Sequence, residues 1–257
     1  LVELLVKEGY PVRVLARKLS KIEYLKRLGV EIYFGDVADK KSLGDALEGI
    51  DVVIHAAAGT SGNKKDCETG TIQGTLNVLE LCNANNIRKL IYISSCSVYG
   101  VADYETGQLV TEESSLEKLP LERGGYSASK QQAESFVIDA MKNMTAPVVI
   151  LRPGTIYGPG GDIFTPMLGF SAMNKIFIVI GNGKFELPFV YVDNLVDAII
   201  NALQNDKADN QIFNVIDSER INKREYMNKL IKRLHPKAFV FYFPYKLLYF
   251  IIYAQEI

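Results

Sequence analysis

The sequence predicts an α/β fold: a doubly wound parallel sheet followed by a smaller C-terminal lobe. Three observations predict it. Up to about residue 150, short apolar β-rich runs alternate with helical patterns at roughly 20–30-residue spacing, the rhythm of βαβ units. That rhythm breaks after Arg152-Pro153-Gly154 and the turn-rich Gly158-Pro159-Gly160-Gly161. The chain has 257 residues, 48% of them hydrophobic and 23% charged, enough for a sizeable core.

The elements follow in order. Leu1–Gly9 reads as a helix already in progress, with apolar 1, 4 and 5 on one face, Gly9 as its stop and no capping residue before it. Val12–Ala16 is a short strand, Lys21–Leu28 a helix stopped by Gly29, and Val30–Phe34 a strand. Asp39 caps a helix that ends at Gly49, and Asp51–His55 is a strand. Thr71–Asn83 is a helix with Ile72, Leu76, Val78 and Leu79 on one side. Leu90–Ser94 is a strand, Tyr126–Met141 a helix and Val148–Leu151 a strand. Beyond the break lie Ile176–Ile180, a turn at 181–183, a helix from Asp193 to about Leu203, a strand Gln211–Val215 and a helix Asn222–Leu234. Two readings stay open for the apolar run 239–257. One is a strand followed by a buried or amphipathic helix, and the other is peripheral docking on a membrane. Pro244 and Lys246 interrupt the ~20 apolar residues that a membrane span needs.

Composition excludes several functions. Twenty-nine basic and thirty acidic side chains leave a net charge of −1, without the basic excess of a nucleic-acid binder. Three cysteines, Cys67, Cys82 and Cys96, show neither metal-ligand spacing nor a disulfide framework. Two histidines, His55 and His235, leave little for a metal centre. No signal-peptide pattern opens the chain, and the reducing cytosol is the expected compartment.

The chemistry is expected at Tyr126-Ser127-Ala128-Ser129-Lys130. Tyrosine and lysine four apart share a helix face. An ammonium near a phenol favours the phenolate, and at ~4 Å the attraction can bring a tyrosine from ~10 to near 7. Such a tyrosine exchanges protons with an alcohol or carbonyl oxygen. Spacing alone proves little, since fourteen tyrosines and twenty lysines predict about one such pair by chance. Tyr242 and Lys246 are that chance copy, with Pro244 between them. The first pair has context, because the strand Leu90–Ile93 upstream runs into Ser94-Ser95-Cys96-Ser97-Val98-Tyr99-Gly100. Ligands of open parallel sheets bind beyond the carboxyl ends of strands. A serine there can hydrogen-bond the substrate oxygen.

Other segments suit a dinucleotide. Gly35-Asp36 follows a strand as an adenine-contacting loop does. His55-Ala56-Ala57-Ala58-Gly59 follows the next; its small residues let a cofactor approach, and His55 itself reads as a core-edge histidine. Arg17, beside Lys18, follows Val12–Ala16 where enzymes that prefer NADP over NAD often carry arginine, so Arg17 leans toward NADP.

This ordered set resembles the extended short-chain dehydrogenase/reductases of the NAD-dependent epimerase/dehydratase superfamily. Gly74-Thr75-Leu76-Asn77, Arg152–Gly160, Phe189–Leu195 and Phe213-Asn214-Val215 join the segments above in carrying the likeness. The resemblance implies a Rossmann-type NAD(P)-binding domain over 1–157 plus about 188–204, and a substrate-binding lobe over 158–187 and 205–257. It implies Tyr126 as acid/base, Lys130 as holder of the nicotinamide ribose, and Ser95 as the third catalytic residue. Asp36 and Val37 would flank adenine, Ala56, Ala57 and Ala58 would line phosphates and ribose, and Pro153 and Thr155 would lie near the nicotinamide. It also implies a small-molecule substrate and a homodimer through helices near 72–84 and 126–141.

Three departures bear on function. The family's first strand and glycine-rich loop are absent from the sequence given. They are expected upstream, with the strand lying between 12–16 and 51–55, and the apolar end is expected to continue downstream. Thr71 replaces a common asparagine. Cys96 and Ser97 stand where sugar-nucleotide 4,6-dehydratases carry Asp-Glu, which argues against that dehydration. The expected reaction is hydride transfer at an alcohol or ketone carbon, with a sugar nucleotide as the leading substrate class. The alternatives are an NADPH-dependent reductase or dehydrogenase of an apolar alcohol, like the dihydroflavonol-reductase and 3β-hydroxysteroid-dehydrogenase relatives, and a non-catalytic NAD(P)-binding sensor.

Overall fold

The protein is described by a computed structural model over residues 1–18, 20, 22–60, 63–100, 104–105, 107–162, 164–165, 167–173 and 175–247. Helix α1 (Val2–Lys7) buries Leu5 and ends before Gly9, whose φ of +83° lets the chain reverse without a Cβ clash. Strand β1 (Arg13–Ala16), helix α2 (Glu23–Arg27) and strand β2 (Glu31–Phe34) follow. Asp39 caps α3 (Lys40–Leu47) by accepting the Lys41 N–H, and Leu43, Ala46 and Leu47 form its buried face. Strand β3 (Val52–His55) leads to α4 (Lys64–Asp66), a π-helical turn (Cys67–Gln73) and α5 (Gly74–Ala84). The helix read over Thr71–Asn83 therefore starts earlier and carries a widened segment. Strand β4 (Lys89–Ile93), helix α6 (Gly125–Met141) and strand β5 (Val148–Pro153) complete the alternation.

Beyond β5 the elements become short. They are β6 (Thr155–Tyr157), β7 (Gly169–Ala172), β8 (Ile176–Ile180), β9 (Glu186–Leu187) and β10 (Phe189–Tyr191). Helix α7 (Val192–Gln204), strand β11 (Ile212–Val215), strand β12 (Ile221–Asn222) and helix α8 (Lys223–Tyr226) come next. A second π turn (Met227–Ile231) joins α8 to α9 (Lys232–Leu234), and β13 (Phe239–Phe243) ends the described elements. Asn222 and Glu225 form a reciprocal capping box on α8. The helix read for the apolar tail falls largely on 248–257, outside the described residues. Among the described residues no helix is long and apolar enough to cross a membrane.

Packing divides the chain into two units, Leu1–Pro153 with Leu195–Val215, and Gly154–Asn194 with Ile216–Ile257. The first holds a four-stranded parallel sheet ordered β11-β5-β4-β3 and a separate parallel pair, β1-β2. Every residue of β4 and β5 is buried, as expected where both faces of a parallel sheet are covered. Leu79, Tyr92, Val137 and Ile150 centre the core, and Leu15 of β1 and Val53 of β3 pack against it. Among the described residues no strand lies hydrogen-bonded between β1 and β3. The second unit packs Phe177, Val179, Phe189, Met227 and Ile231 around one core, with Phe189 stacked on Tyr226 at 4.5 Å.

The boundaries differ from those read in the sequence. Residues 154–157 and 188–194 fall in the second unit because β6 pairs with β10. Residues 205–215 rejoin the first because β11 pairs with β5. A return over some sixty residues leaves no local pattern to read. Gly154 marks the crossing: a Cβ there would lie 2.1 Å from the Pro188 carbonyl oxygen, so only glycine lets the two backbones approach.

Candidate active site

Five parallel strands of the first unit end in residues singled out by sequence. Arg17 follows β1, Asp36 follows β2, Ala56 follows β3, Ser94 follows β4, and Pro153 is the last residue of β5. Ligands of such sheets gather at these ends. Thr155 lies on β6 in the second unit, where its hydroxyl donates to Met167 Sδ at 3.3 Å.

At the end of β4 the backbone turns through a short 3₁₀ segment (96–98). Ser95 caps it by accepting the Ser97 N–H at 3.1 Å. The Ser95 side chain lies near enough to the Tyr126 phenol to favour its ionised form. Tyr126 sits half-buried in the first turn of α6. One turn on, buried Lys130 donates from Nζ to the Ile93 carbonyl at 2.8 Å and lies over the Tyr92 ring at 5.5 Å. Ser95, Tyr126 and Lys130 thus converge on the last residues of β4.

The electrostatics correct one expectation. A lysine four residues away was expected to bring the Tyr126 phenol down. Instead burial pushes it up, the neighbouring Ser95 side chain opposes this, and Cys67 adds to the rise. Lys130 spends its ammonium on the Ile93 carbonyl, and its own pKa is lowered to about 8 by burial, against the pull of Glu134. Tyr126 is therefore a neutral phenol, an acid with a proton to give. Cys96 is no nucleophile, because burial pushes its thiol up to about 12 and Sγ donates to the Arg152 carbonyl at 3.2 Å.

The loops after β2 and β3 are held by residues whose work the sequence did not reveal. Asn77 Nδ2 donates to the Val37 carbonyl at 2.8 Å, and a Cβ on Gly74 would lie 2.6 Å from Val37 Cγ2. Asp36 accepts the Ala38 N–H at 3.0 Å, which shapes the turn. Ala56 is exposed, while Ala57 and Ala58 are half-buried. The Gly59 N–H donates to Thr71 Oγ1 at 2.8 Å, so the residue that replaces a common asparagine anchors this loop. His55, 4% exposed, pairs its Nε2 with Thr75 Oγ1 at 3.0 Å. The signal for Asn77, Thr71 and Thr75 was their shared segment, 71–77, read only as a motif.

Gly59 also explains the π turn. Its Cβ would lie 2.2 Å from the Asp66 carbonyl oxygen, so this loop and the start of the widened helix meet backbone to backbone. π turns recur at functional sites. Gly59→Ala is expected to destabilise the protein by about 1–3 kcal/mol through overpacking. A urea midpoint equal to wild type would show that the two backbones part freely.

The site also suits a dinucleotide. At the end of β4 the buried hydroxyls of Ser94 and Ser97 have no hydrogen-bond partner among the described residues. Buried polar groups are normally paired, so a bound molecule is a fitting partner for them.

The model of the family described as "NAD dependent epimerase/dehydratase family" matches residues 1–215. The chain belongs to this family. One epimerase/dehydratase-family relative is the 3beta-hydroxysteroid-dehydrogenase/decarboxylase isoform 1 of Arabidopsis thaliana. It is 32% identical over 216 residues, covering 80% of this chain and 48% of that protein. Another is the dTDP-D-glucose 4,6-dehydratase of Dictyostelium discoideum, 31% identical over 221 residues, covering 80% and 51%. The chain thus spans about half the length of these two relatives. Among solved structures, the UDP-glucuronic acid 4-epimerase from Bacillus cereus, in complex with UDP-glucuronic acid and NAD, superposes with a TM-score of 0.77. Identity is 22%, with 95% of this chain and 82% of that chain covered, so it shows the shared fold. The family's named members are NAD-dependent epimerases, dehydratases and dehydrogenases, all enzymes.

Proposed function

We propose that this chain carries the catalytic centre of an NAD(P)-dependent oxidoreductase or epimerase acting at a secondary alcohol or ketone carbon. The observation that carries this reading is the convergence of Ser95, Tyr126 and Lys130 at the end of β4. NAD(P), when bound, supplies the carbon that accepts or gives the hydride. Ser95 hydrogen-bonds the substrate oxygen and orients it toward Tyr126. The Tyr126 phenol gives its proton to that oxygen in reduction and takes it back in oxidation. Lys130, an ammonium below about pH 8, holds the ribose hydroxyls and stabilises the phenolate left after proton transfer. Asp36 and Val37 flank adenine, and Ala56, Ala57 and Ala58 line the phosphates and ribose. Pro153 and Thr155 serve the nicotinamide end.

A sugar nucleotide is the first substrate class, supported by the dTDP-D-glucose 4,6-dehydratase relative and the Asp193-Asn194 and Phe213-Asn214-Val215 segments. The dehydration itself is not assigned to this chain, since Cys96 and Ser97 offer no carboxylate beside Ser95. A second reading, an apolar alcohol or ketone reduced with NADPH, is supported by the hydroxysteroid relative and by Arg17. The second unit is assigned to substrate, and residues 72–84 and 126–141 to a homodimer contact. Three free cysteines accord with a cytosolic enzyme.

The deciding experiment screens the full-length protein with NAD(H) and NADP(H) against sugar nucleotides and apolar ketones. Turnover of one class identifies the substrate, and turnover of neither removes the enzymatic reading. Arg17 is exposed after β1. Arg17→Asp is expected to shift the binding preference from NADPH to NADH by about tenfold, as one lost charge–phosphate contact predicts. An unchanged ratio would remove Arg17 from cofactor choice.

A further inference from the structure

A buried charge network runs beneath the site and takes no part in the chemistry above. Tyr126, Lys130 and Glu134 stand at successive turns on one face of α6. Glu134 is 0% and Arg152 2% exposed. Arg152 Nε donates to the two Glu134 carboxylate oxygens at 3.2 and 3.0 Å, and Nη2 donates to Oε1 at 2.6 Å. Nη1 donates to Tyr99 Oη at 2.6 Å and to the Glu112 carbonyl at 3.1 Å. Tyr99 Oη in turn donates to Asn214 Oδ1 at 2.7 Å. One guanidinium therefore ties together β5, α6 and the loop that follows Ser95.

Packing alone does not require charge here, because a buried ion pair is often no more stabilising than apolar residues of the same volume. The neighbour of the pair gives the charge a purpose. We propose that Glu134, clamped by Arg152, is a positioning residue for Lys130, keeping its ammonium charged and held under the end of β4. This rests on the reading of Lys130 as the ribose-binding cation.

The surroundings of Lys130 support it. β3 presents His55, which is neutral, and β4 presents Tyr92, whose phenol is pushed up by burial. The π turn presents Cys67 beside Tyr126. From the 3₁₀ turn Pro120–Arg123, exposed Glu122 faces solvent and Arg123 bonds the Ser97 and Tyr99 carbonyls and pairs with Glu117. β5 presents Arg152, a second positive charge, through Glu134. Burial lowers Lys130, and the Glu134 charge is the influence that raises it. An ammonium so desolvated needs a fixed countercharge to stay protonated near neutrality.

The test reads the charge of Lys130 in cofactor-free protein, so its failure is separate from failure of the enzymatic reading. The chain has two histidines, His55 and His235, and substitution of His235 assigns their ring signals. His55 feels the Lys130 charge and stays neutral across the relevant range, since its pKa is lowered to about 3. In wild type its ring ¹³C–¹H signal should show an inflection near pH 8 that vanishes in Lys130→Met. In Glu134→Gln that inflection should move down by about one pH unit. This variant leaves Arg152 buried and uncompensated, so the double variant Glu134→Gln with Arg152→Gln is measured beside it. There the inflection should lie between the other two. An inflection absent from wild type, or unmoved in both variants, overturns the proposal and leaves Glu134 a structural partner of Arg152.

Discussion

Tyr126→Phe is expected to cut turnover by about 10²-fold or more while cofactor binding survives. The variant loses one oxygen from a half-buried ring and leaves Lys130 bonded to the Ile93 carbonyl. What disappears is the proton that moves to or from the substrate oxygen. A hundredfold loss corresponds to about 2.7 kcal/mol of transition-state stabilisation. The check is steady-state turnover beside fluorescence titration of the dinucleotide. Full activity would take Tyr126 out of the mechanism, whereas joint loss of turnover and binding would place it in the cofactor site.

Acid should weaken the fold through His55. Its ring is buried, bonded to Thr75 and tilted against Tyr92 at 5.6 Å. Burial first, and the Lys130 charge second, lower its pKa to about 3 from the usual 6.5. Between those values the unfolded chain holds a proton that the folded chain refuses. Stability is therefore full above pH 6.5 and falls as pH drops toward 3, by about 1.4 kcal/mol per unit. From pH 7 to pH 4 the loss from this one group is about 3 kcal/mol. His55→Gln keeps a side chain that can reach Thr75 and removes the titration. Urea unfolding at the two pH values should show the variant losing about 3 kcal/mol less than wild type. Parallel losses would mean that His55 takes up its proton without unfolding.

Much of the fold was legible because it rests on local signals. The strands alternate with amphipathic helices, Asp39 caps where it was read to cap, and Gly9 stops its helix. The π turn was not legible, because one extra residue in a helical turn leaves the apolar stripe of 72–79 intact. Placing β11 required the pairing of Ile212–Val215 with Ile150–Pro153, which is written in no local pattern. Ser95, Tyr126 and Lys130 were legible as a motif whose order matches the sheet. The state of the Tyr126 phenol was not, because burial depends on the π turn and β4 packing around it. Glu134 and Arg152 lie eighteen residues apart. Their pairing is tertiary, yet one clue was in view: an acid four residues beyond Lys130, on the face of α6 that had to be buried.

The register of β1 against β2 has a consequence for the loops that leave them. Arg13 Nη1 donates to the Ala46 and Glu48 carbonyls at 3.0 and 2.7 Å, which fixes β1 beside the end of α3. Ala16 and Phe34 pair at the last step of the two parallel strands, so the chain leaves both at one level. The pair of strands therefore presents its two exits side by side. It carries Arg17 at its tip and leads directly into Asp36 and Val37. A dinucleotide that gripped those residues would join the two loops, and ligand affinity and local order would rise together.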